Sequence, residues 1–302
     1  MNSATNQFLK KTTVFLAVPV IIFSGTFMIL NLLNNKIFNE FKIDKNITTV
    51  FIGDSHIQQA VNDKIVNNSI NLSQNSESYY FSFNKIDGLI KNNTSIKKIY
   101  LGFSYHSLSS YNEDFVFGKF SKDISARYFF ILPFSEKLKF IRYNSKDILA
   151  YFKNILINGV HNVVVKNNQC SFLGNYENNF NNTTVNRSSM DKRLLFQFYS
   201  HGKLDPFSTY NIFYLNKIIS LCKTNKIELV LLNTPLQNYY EEKIPVEYKA
   251  KYREIIENSG LQMLNLNGLP LNDSCFIPDG DHVSQKGALL LSNYLADTKR
   301  AQ

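Results

Sequence analysis

The stretch Thr48-Thr49-Val50-Phe51-Ile52-Gly53-Asp54-Ser55-His56 decides how the fold is read. Its first five residues are all β-branched or aromatic, a composition that suits a short strand, and Gly53 ends the run. From Ser55 to Val66 the pattern turns helical, with Ile57, Ala60, Val61 and Ile65 recurring on one side. A strand that passes directly into a helix is the unit the rest of the chain repeats.

Working outward, Ser69 to Leu72 reads as a second short strand and Glu77 to Lys91 as a helix with Phe81, Ile86, Leu89 and Ile90 toward a core. Lys98 to Phe103 gives a third strand. Beyond an interruption, Ser208 is placed to cap a helix running to Thr224. Lys226 to Leu232 (KIELVLL) is the clearest strand of all, a nearly continuous apolar run of the kind covered on both faces. A helix over Val246 to Asn258, a strand over Leu261 to Leu266 and a closing helix over Ser284 to Thr298 complete the series. Strands alternating with helices predict an α/β fold, an open parallel sheet with helices on both sides. In that architecture the chemistry gathers at the carboxyl ends of the strands.

Two regions stand outside the alternation. Residues 107–205 lack it, apart from a helical stretch near Ser145 to Leu156, and include the Asn-rich segment Asn167 to Asn186. They are expected to form an insertion with exposed loop, either a lid or binding element or a silent excursion. At the other end, Thr12 to Leu33 is a charge-free apolar run between Lys10-Lys11 and Lys36. Its length matches what a helix needs to cross hydrocarbon, and its exit, Leu-Asn-Asn-Lys, lacks the small residues of a signal cleavage site. The expected organisation is therefore a tail (1–11), a transmembrane anchor (12–33), a polar stem (34–46) and a domain over 47–302. Lysines flank both ends of the anchor, so charge leaves its orientation nearly balanced.

The 302 residues suffice for one domain with an insertion, and 44% hydrophobic content with 14% aromatic residues supplies a sizeable core. The net charge of +9 is spread as single lysines and short pairs. No like-charge block, zinc-finger spacing or RNP motif accompanies it, which argues against nucleic acid as a partner. A diffuse positive field suits an anionic membrane surface or a glycan. Cys170, Cys222 and Cys275 are odd in number, contain no C-x-x-C pair, and show neither a disulfide framework nor metal-ligand spacing.

The chemistry concentrates in two places. Ser55 sits at a strand-to-helix junction, where a hydroxyl can be exposed and an oxyanion met by backbone N–H groups. A serine hydroxyl needs an adjacent base, itself oriented by a third group. Just before the last helix, Phe276-Ile277-Pro278-Asp279-Gly280-Asp281-His282-Val283-Ser284 provides both, with Asp279 three residues ahead of His282 and able to hold its ring. Asp281, adjacent in sequence, is expected to point away. Each segment alone also reads as an ordinary turn; their joint occurrence, in this order, carries the inference.

The pairing of Gly53-Asp54-Ser55 with Asp279-x-x-His282 resembles the SGNH/GDSL hydrolase superfamily, and Gly-Asp-Ser-His looks like the form found in envelope polysaccharide O-acyltransferase domains. The resemblance covers residues 47–106 and 208–298. It implies a three-layer, flavodoxin-like sheet, Ser55 as nucleophile, His282 and Asp279 as its charge partners, and a domain outside the cell. The family's oxyanion glycine and asparagine align here with Ser76 and His106, so the resemblance implies a hole made by Ser55, Ser76 and His106 with altered donors. His56, Thr234 and Tyr239 are candidates to line the substrate site, although the ring of His56 is expected to leave along its helix. Tyr79, Tyr80 and Tyr240 either stack on sugar or simply pack.

Together these imply a membrane-tethered serine O-acyltransferase or esterase acting on envelope glycans. Its partners would be an acyl-ester or glycan substrate, the membrane and, for transfer, an acyl-donor membrane protein, with no metal or diffusible cofactor. A non-catalytic glycan-binding module and a lipid esterase are the competing functions.

Overall fold

A computed structural model describes residues 3–165, 170–181 and 184–300. The chain opens with helix α1 (Ser3–Glu40) and enters the sheet at β1 (Thr49–Ile52), followed by α2 (Ser55–Ala60), β2 (Ser69–Asn71), α3 (Tyr79–Asn92) and β3 (Lys98–Gly102). The insertion contributes α4 (Glu113–Val116), α5 (Ser121–Tyr128), α6 (Phe134–Tyr143), α7 (Ile148–Val165), α8 (Arg187–Phe198) and a small hairpin of β4 (Tyr199–Ser200) and β5 (Lys203–Leu204). The sheet then resumes through α9 (Thr209–Thr224), β6 (Glu228–Asn233), α10 (Asn238–Lys243), α11 (Val246–Ser259), β7 (Gln262–Asn265) and α12 (Gln285–Arg300).

The five main strands are all parallel, in the order β2-β1-β3-β6-β7. Counted along the sheet strands alone this is 2-1-3-4-5, the flavodoxin-like order. Alternate residues of each central strand feed opposite layers. Val50, Ile52, Ile99, Leu101, Leu229 and Leu231 face one core, and Phe51, Tyr100, Val230 and Leu232 face the other, with the Phe51 and Tyr100 rings stacked at 4.9 Å. Burial on both faces accounts for the continuous apolar runs. The chain leaves β1 toward β2 and later returns to the opposite side as β3, so the crevice between the carboxyl ends of β1 and β3 is the switch point where such folds bind ligands.

Three expectations require correction. Helix α2 ends at Ala60, well short of Val66, because Asn71 Nδ2 donates to the carbonyls of Ile57 and Val61 and so takes over the end of the helix. The helix that holds the anchor runs past the expected bounds 12–33: α1 begins at Ser3 in the tail and continues unbroken through 34–40 of the stem. Asn34, Phe38 and Ile43 are buried there, with Asn34 Nδ2 donating to the Gly159 carbonyl. The Asn-rich segment is not simply exposed either. Cys170, Phe172 and Leu173 are core residues, and Asn178 donates to the carbonyls of Gln59 and Val283. Residues 166–169 and 182–183 of that segment lie outside the described residues.

Among the described residues two helices are long and apolar enough to cross a membrane, Thr5–Glu40 and Ser145–Val165. The first leaves most of its apolar side chains exposed through Leu33, with Leu30 buried and Phe27 packed against the core. The second buries Tyr151, Ile155, Gly159 and Asn162 against its neighbours.

Candidate active site

Ser55 is the first residue of α2, directly beyond the carboxyl end of β1. The preceding Asp54 caps the helix by accepting the His56 N–H at 2.9 Å. Gly53 is needed for space rather than for an unusual backbone angle. A Cβ there would lie 2.8 Å from Ile57 Cγ1 and 3.2 Å from the Gly102 Cα, closing the gap between β1 and β3. The turn before α12 supplies the other half. Gly280 takes φ +64°, its N–H closes onto the Ile277 carbonyl at 3.0 Å, and its own carbonyl accepts from Gln237 N–H at 2.9 Å, tying the turn to the loop after β6.

These elements place Ser55 Oγ 2.8 Å from His282 Nε2, and His282 Nδ1 2.9 Å from Asp279 Oδ2. The other carboxylate oxygen of Asp279 accepts the N–H groups of Asp281 and His282 at 3.0 and 3.1 Å. The acid is thus fixed by three bonds and selects the tautomer with hydrogen on Nδ1, which leaves Nε2 to accept from the serine. Burial opposes ionisation of Asp279, but the neighbouring His282 and the hydrogen bond from its ring outweigh it and hold the carboxyl below its ordinary range.

His56 does not leave along its helix. Its ring is buried between those of His106 and His282, stacked at centroid distances of 4.1 and 4.3 Å. Nδ1 lies 3.2 Å from Asp54 Oδ1 and Nε2 lies 2.8 Å from Asp281 Oδ1. Both nitrogens face carboxylate oxygens, which only accept, so the ring must donate twice and is an imidazolium. Burial disfavours that charge, yet Asp281 and then Asp54 overcome it, and the His56 pKa is pushed up to about 10. Burial likewise opposes the charges of Asp54 and Asp281. His56 and His106 for the first, and His56 and Arg193 for the second, hold both carboxyls well below the usual range. Asp54, His56 and His106, and likewise His56, Asp281 and His282, lie close enough to hold a cation. A ring that donates from both nitrogens has no lone pair left for one.

The position aligned with an oxyanion asparagine is also different from its expected role. His106 follows β3 in the turn Tyr105–Leu108, with Nε2 2.6 Å from Asp54 Oδ2 and Nδ1 2.8 Å from Ser104 Oγ. Both nitrogens are committed, so no ring N–H remains for an oxyanion. Burial and the charge of His56 push its pKa down, which matches a neutral ring donating from Nε2. Ser76 adopts φ +62°, the left-handed region in which glycine is at ease. Its hydroxyl donates to Asn75 Oδ1.

Ser55, Asn75 and Ser76 open into a cavity of about 410 Å³, whose remaining wall is almost entirely insertion. Tyr111, Asp123, Arg127, Arg193 and Phe196 line it. Arg193 Nε also donates to Asp281 Oδ2 at 2.8 Å, and Gln197 Nε2 donates to the same oxygen at 2.7 Å. The insertion therefore both walls the cavity and completes the buried charge network, which its sequence gave no spacing to suggest. Thr234 is buried outside the cavity lining, and Tyr239 lies on the rim of α10 with its hydroxyl on Asp191. Tyr79, Tyr80 and Tyr240 are packed, with hydroxyls on the Gly102 carbonyl, Glu136 and Gln197.

No family model matches the chain, and no curated protein matches it. Two solved structures are similar in outline. One, provisionally described as a platelet activating factor from Streptococcus pneumonia, has 11% identity and a TM-score of 0.39, with 99% of each chain covered. The other, described as a GDSL-like lipase from Bacteroides thetaiotaomicron, has 10% identity and a TM-score of 0.38 over 86% of this chain and 91% of that one. Likeness of that degree carries no argument about chemistry.

Proposed function

We propose that the chain is a membrane-tethered serine esterase or O-acyltransferase that works on acyl groups, acetyl foremost, of cell-envelope glycans. One observation carries the reading: Ser55, His282 and Asp279 are joined by two hydrogen bonds of 2.8 and 2.9 Å at the switch point of a parallel sheet. In the first step Ser55 Oγ attacks the acyl carbonyl carbon while His282 Nε2 takes its proton, and Asp279 steadies the imidazolium that forms. The N–H groups of Ser55 and Ser76 stabilise the oxyanion. Collapse returns the proton from His282 to the departing alcohol and leaves an acyl-serine. Water or a glycan hydroxyl then attacks that ester with His282 again as base, giving an acid or a new ester. These steps call for no metal or diffusible cofactor.

The glycan assignment is supported by the resemblance of Gly53-Asp54-Ser55-His56 to envelope O-acyltransferase domains, and by a cavity in which Arg127, Arg193, Asp123 and Asn75 offer hydrogen bonds to hydroxyls. The tether is supported by the exposed apolar length of α1. An extracytoplasmic domain and a membrane partner that hands over acyl groups belong to the same proposal. Ser55→Ala is expected to abolish ester turnover and labelling by a serine-directed phosphonate. Labelling that survives the substitution would refute Ser55 as nucleophile. Faster turnover of long-chain than acetyl esters would move the assignment to lipid substrates.

A second reading follows from His106, whose nitrogens are both engaged. If the hole lacks a third donor too severely, the domain binds glycan without turning it over, and a native protein that binds acetylated glycan but shows no acyl release would favour this.

A further inference from the structure

Helix α1 meets the insertion well below the end of its apolar run. Phe23 and Phe27 hold Phe152 of α7 edge-on at 5.5 and 5.7 Å, and Phe27 meets Phe129 at 5.5 Å. Farther along, Asn34 Nδ2 donates to the Gly159 carbonyl and Asn162 Nδ2 donates to Asn34 Oδ1. The two helices therefore run side by side in the same direction. At the rise of an α-helix, Phe23 lies roughly 15 Å down α1 from Leu33. Whatever medium surrounds Phe23 also surrounds the start of α7.

That part of the insertion carries apolar side chains into the open. Leu149 is 84% exposed and heads a stripe with Ile157, Val160 and Val164 on α7, while Phe134 and Leu138 are exposed on α6. Lys139 and Arg142 on α6 and Lys146 beyond it add positive charge, the pairing of features seen in helices that lie in a lipid surface. Between α1, α6 and α7 is a cavity of about 550 Å³ lined by Phe23, Phe27, Met28, Phe134, Leu138 and Phe152.

Lys137 also lines this cavity and is only 8% exposed. Its ammonium donates to Asn31 Oδ1 at 2.7 Å and to the Phe130 carbonyl at 3.3 Å, both neutral acceptors. Among the described residues no carboxylate comes within ion-pair distance of it. A buried cation without a counter-charge is costly, and an apolar cavity bearing one such cation suits an anion with a hydrocarbon tail.

We infer that α1, α6 and α7 form a binding site for an anionic phospholipid, with one acyl chain in the cavity and the phosphate on Lys137, α6 and the start of α7 being seated in the leaflet nearest the domain. The inference rests on the membrane-anchor reading of α1. Because the chain contains no tryptophan, single reporters are simple to introduce. Full-length Ile21→Trp, Leu149→Trp and Val246→Trp proteins are placed in phosphatidylglycerol–phosphatidylcholine vesicles with brominated acyl chains. Quenching is expected for the first two and not for the third, which lies exposed on α11. If Ile21→Trp is quenched and Leu149→Trp behaves like Val246→Trp, the lipid site is overturned while the anchor stands. Absence of quenching at Ile21→Trp overturns both. Phosphatidylglycerol retained through detergent extraction, counted by mass spectrometry, should fall about fivefold in Lys137→Gln, recover in Lys137→Arg and stay unchanged in Lys251→Gln on the remote helix α11. Equal retention in Lys137→Gln and the native protein would overturn the phosphate assignment.

Discussion

Two histidines of the site stack at 4.3 Å, each beside an aspartate, and their surroundings assign them opposite duties. His282 has one nitrogen on Asp279 and the other on the Ser55 hydroxyl, a group that can give up a proton. His56 has both nitrogens on carboxylates and nothing to exchange. An aspartate beside a histidine is thus no mark of a base; what the second nitrogen faces decides it. The aspartates differ in the same way. Asp279 is held by backbone N–H groups of its own turn, whereas Asp281 is held from two other parts of the chain, by His56 of α2 and by Arg193 and Gln197 of α8.

The sharpest way to break this contrast is to remove each carboxylate's charge. Asp279→Asn should lower kcat for ester cleavage by about 10⁴ while leaving the fold intact, since it releases the wrong tautomer of His282. A drop of less than about tenfold would mean that Asp279 does not orient the base. Changing the other histidine should act on stability instead. His56→Gln leaves Asp54 and Asp281 buried without the cation between them, and a loss of ~3–5 kcal/mol in denaturant unfolding is expected. An unchanged midpoint would remove the case for a buried imidazolium.

The charge of His56 also predicts a pH dependence. A folded-state pKa of about 10 against an ordinary 6.5 means that its contribution is fully present below pH 6.5. That contribution is lost as pH rises through about 10. Asp54 and Asp281, both depressed, contribute above the ordinary carboxylate range and lose it as pH falls below that range. The melting temperature of the native protein should therefore decline from pH 7 to pH 10 more steeply than that of His56→Gln. Parallel curves would contradict the assignment. The smallest effect concerns the oxyanion side: Ser76→Gly should relieve the left-handed strain at φ +62°, stabilising by less than about 1 kcal/mol with kcat retained. A large loss of activity would show that the Ser76 side chain matters after all.

Which parts were legible in the sequence follows from how local their causes are. The strands at Thr49–Ile52 and Glu228–Asn233 declare themselves because burial on both faces demands unbroken apolar runs. Asp279 and His282 are three residues apart on one turn, so their pairing is nearly a property of the peptide. The early end of α2 was not legible, because the amide that caps it belongs to Asn71 on the next strand. Nor was the orientation of His56, which is fixed by Asp281 from 225 residues away and by an arginine in an irregular insertion. His106 misled for a related reason: matching a family position says where a side chain starts, and its neighbours decide what it is free to do.

The unbroken course of α1 into the domain has a mechanical consequence. A flexible stem would act as a leash and let the active site search a volume above the membrane. A helix of 38 residues with Asn34 and Phe38 locked into the fold is a ruler. On the tether proposed above, it would set a single working height and orientation for Ser55, and a glycan substrate of the proposed kind would have to thread past the site.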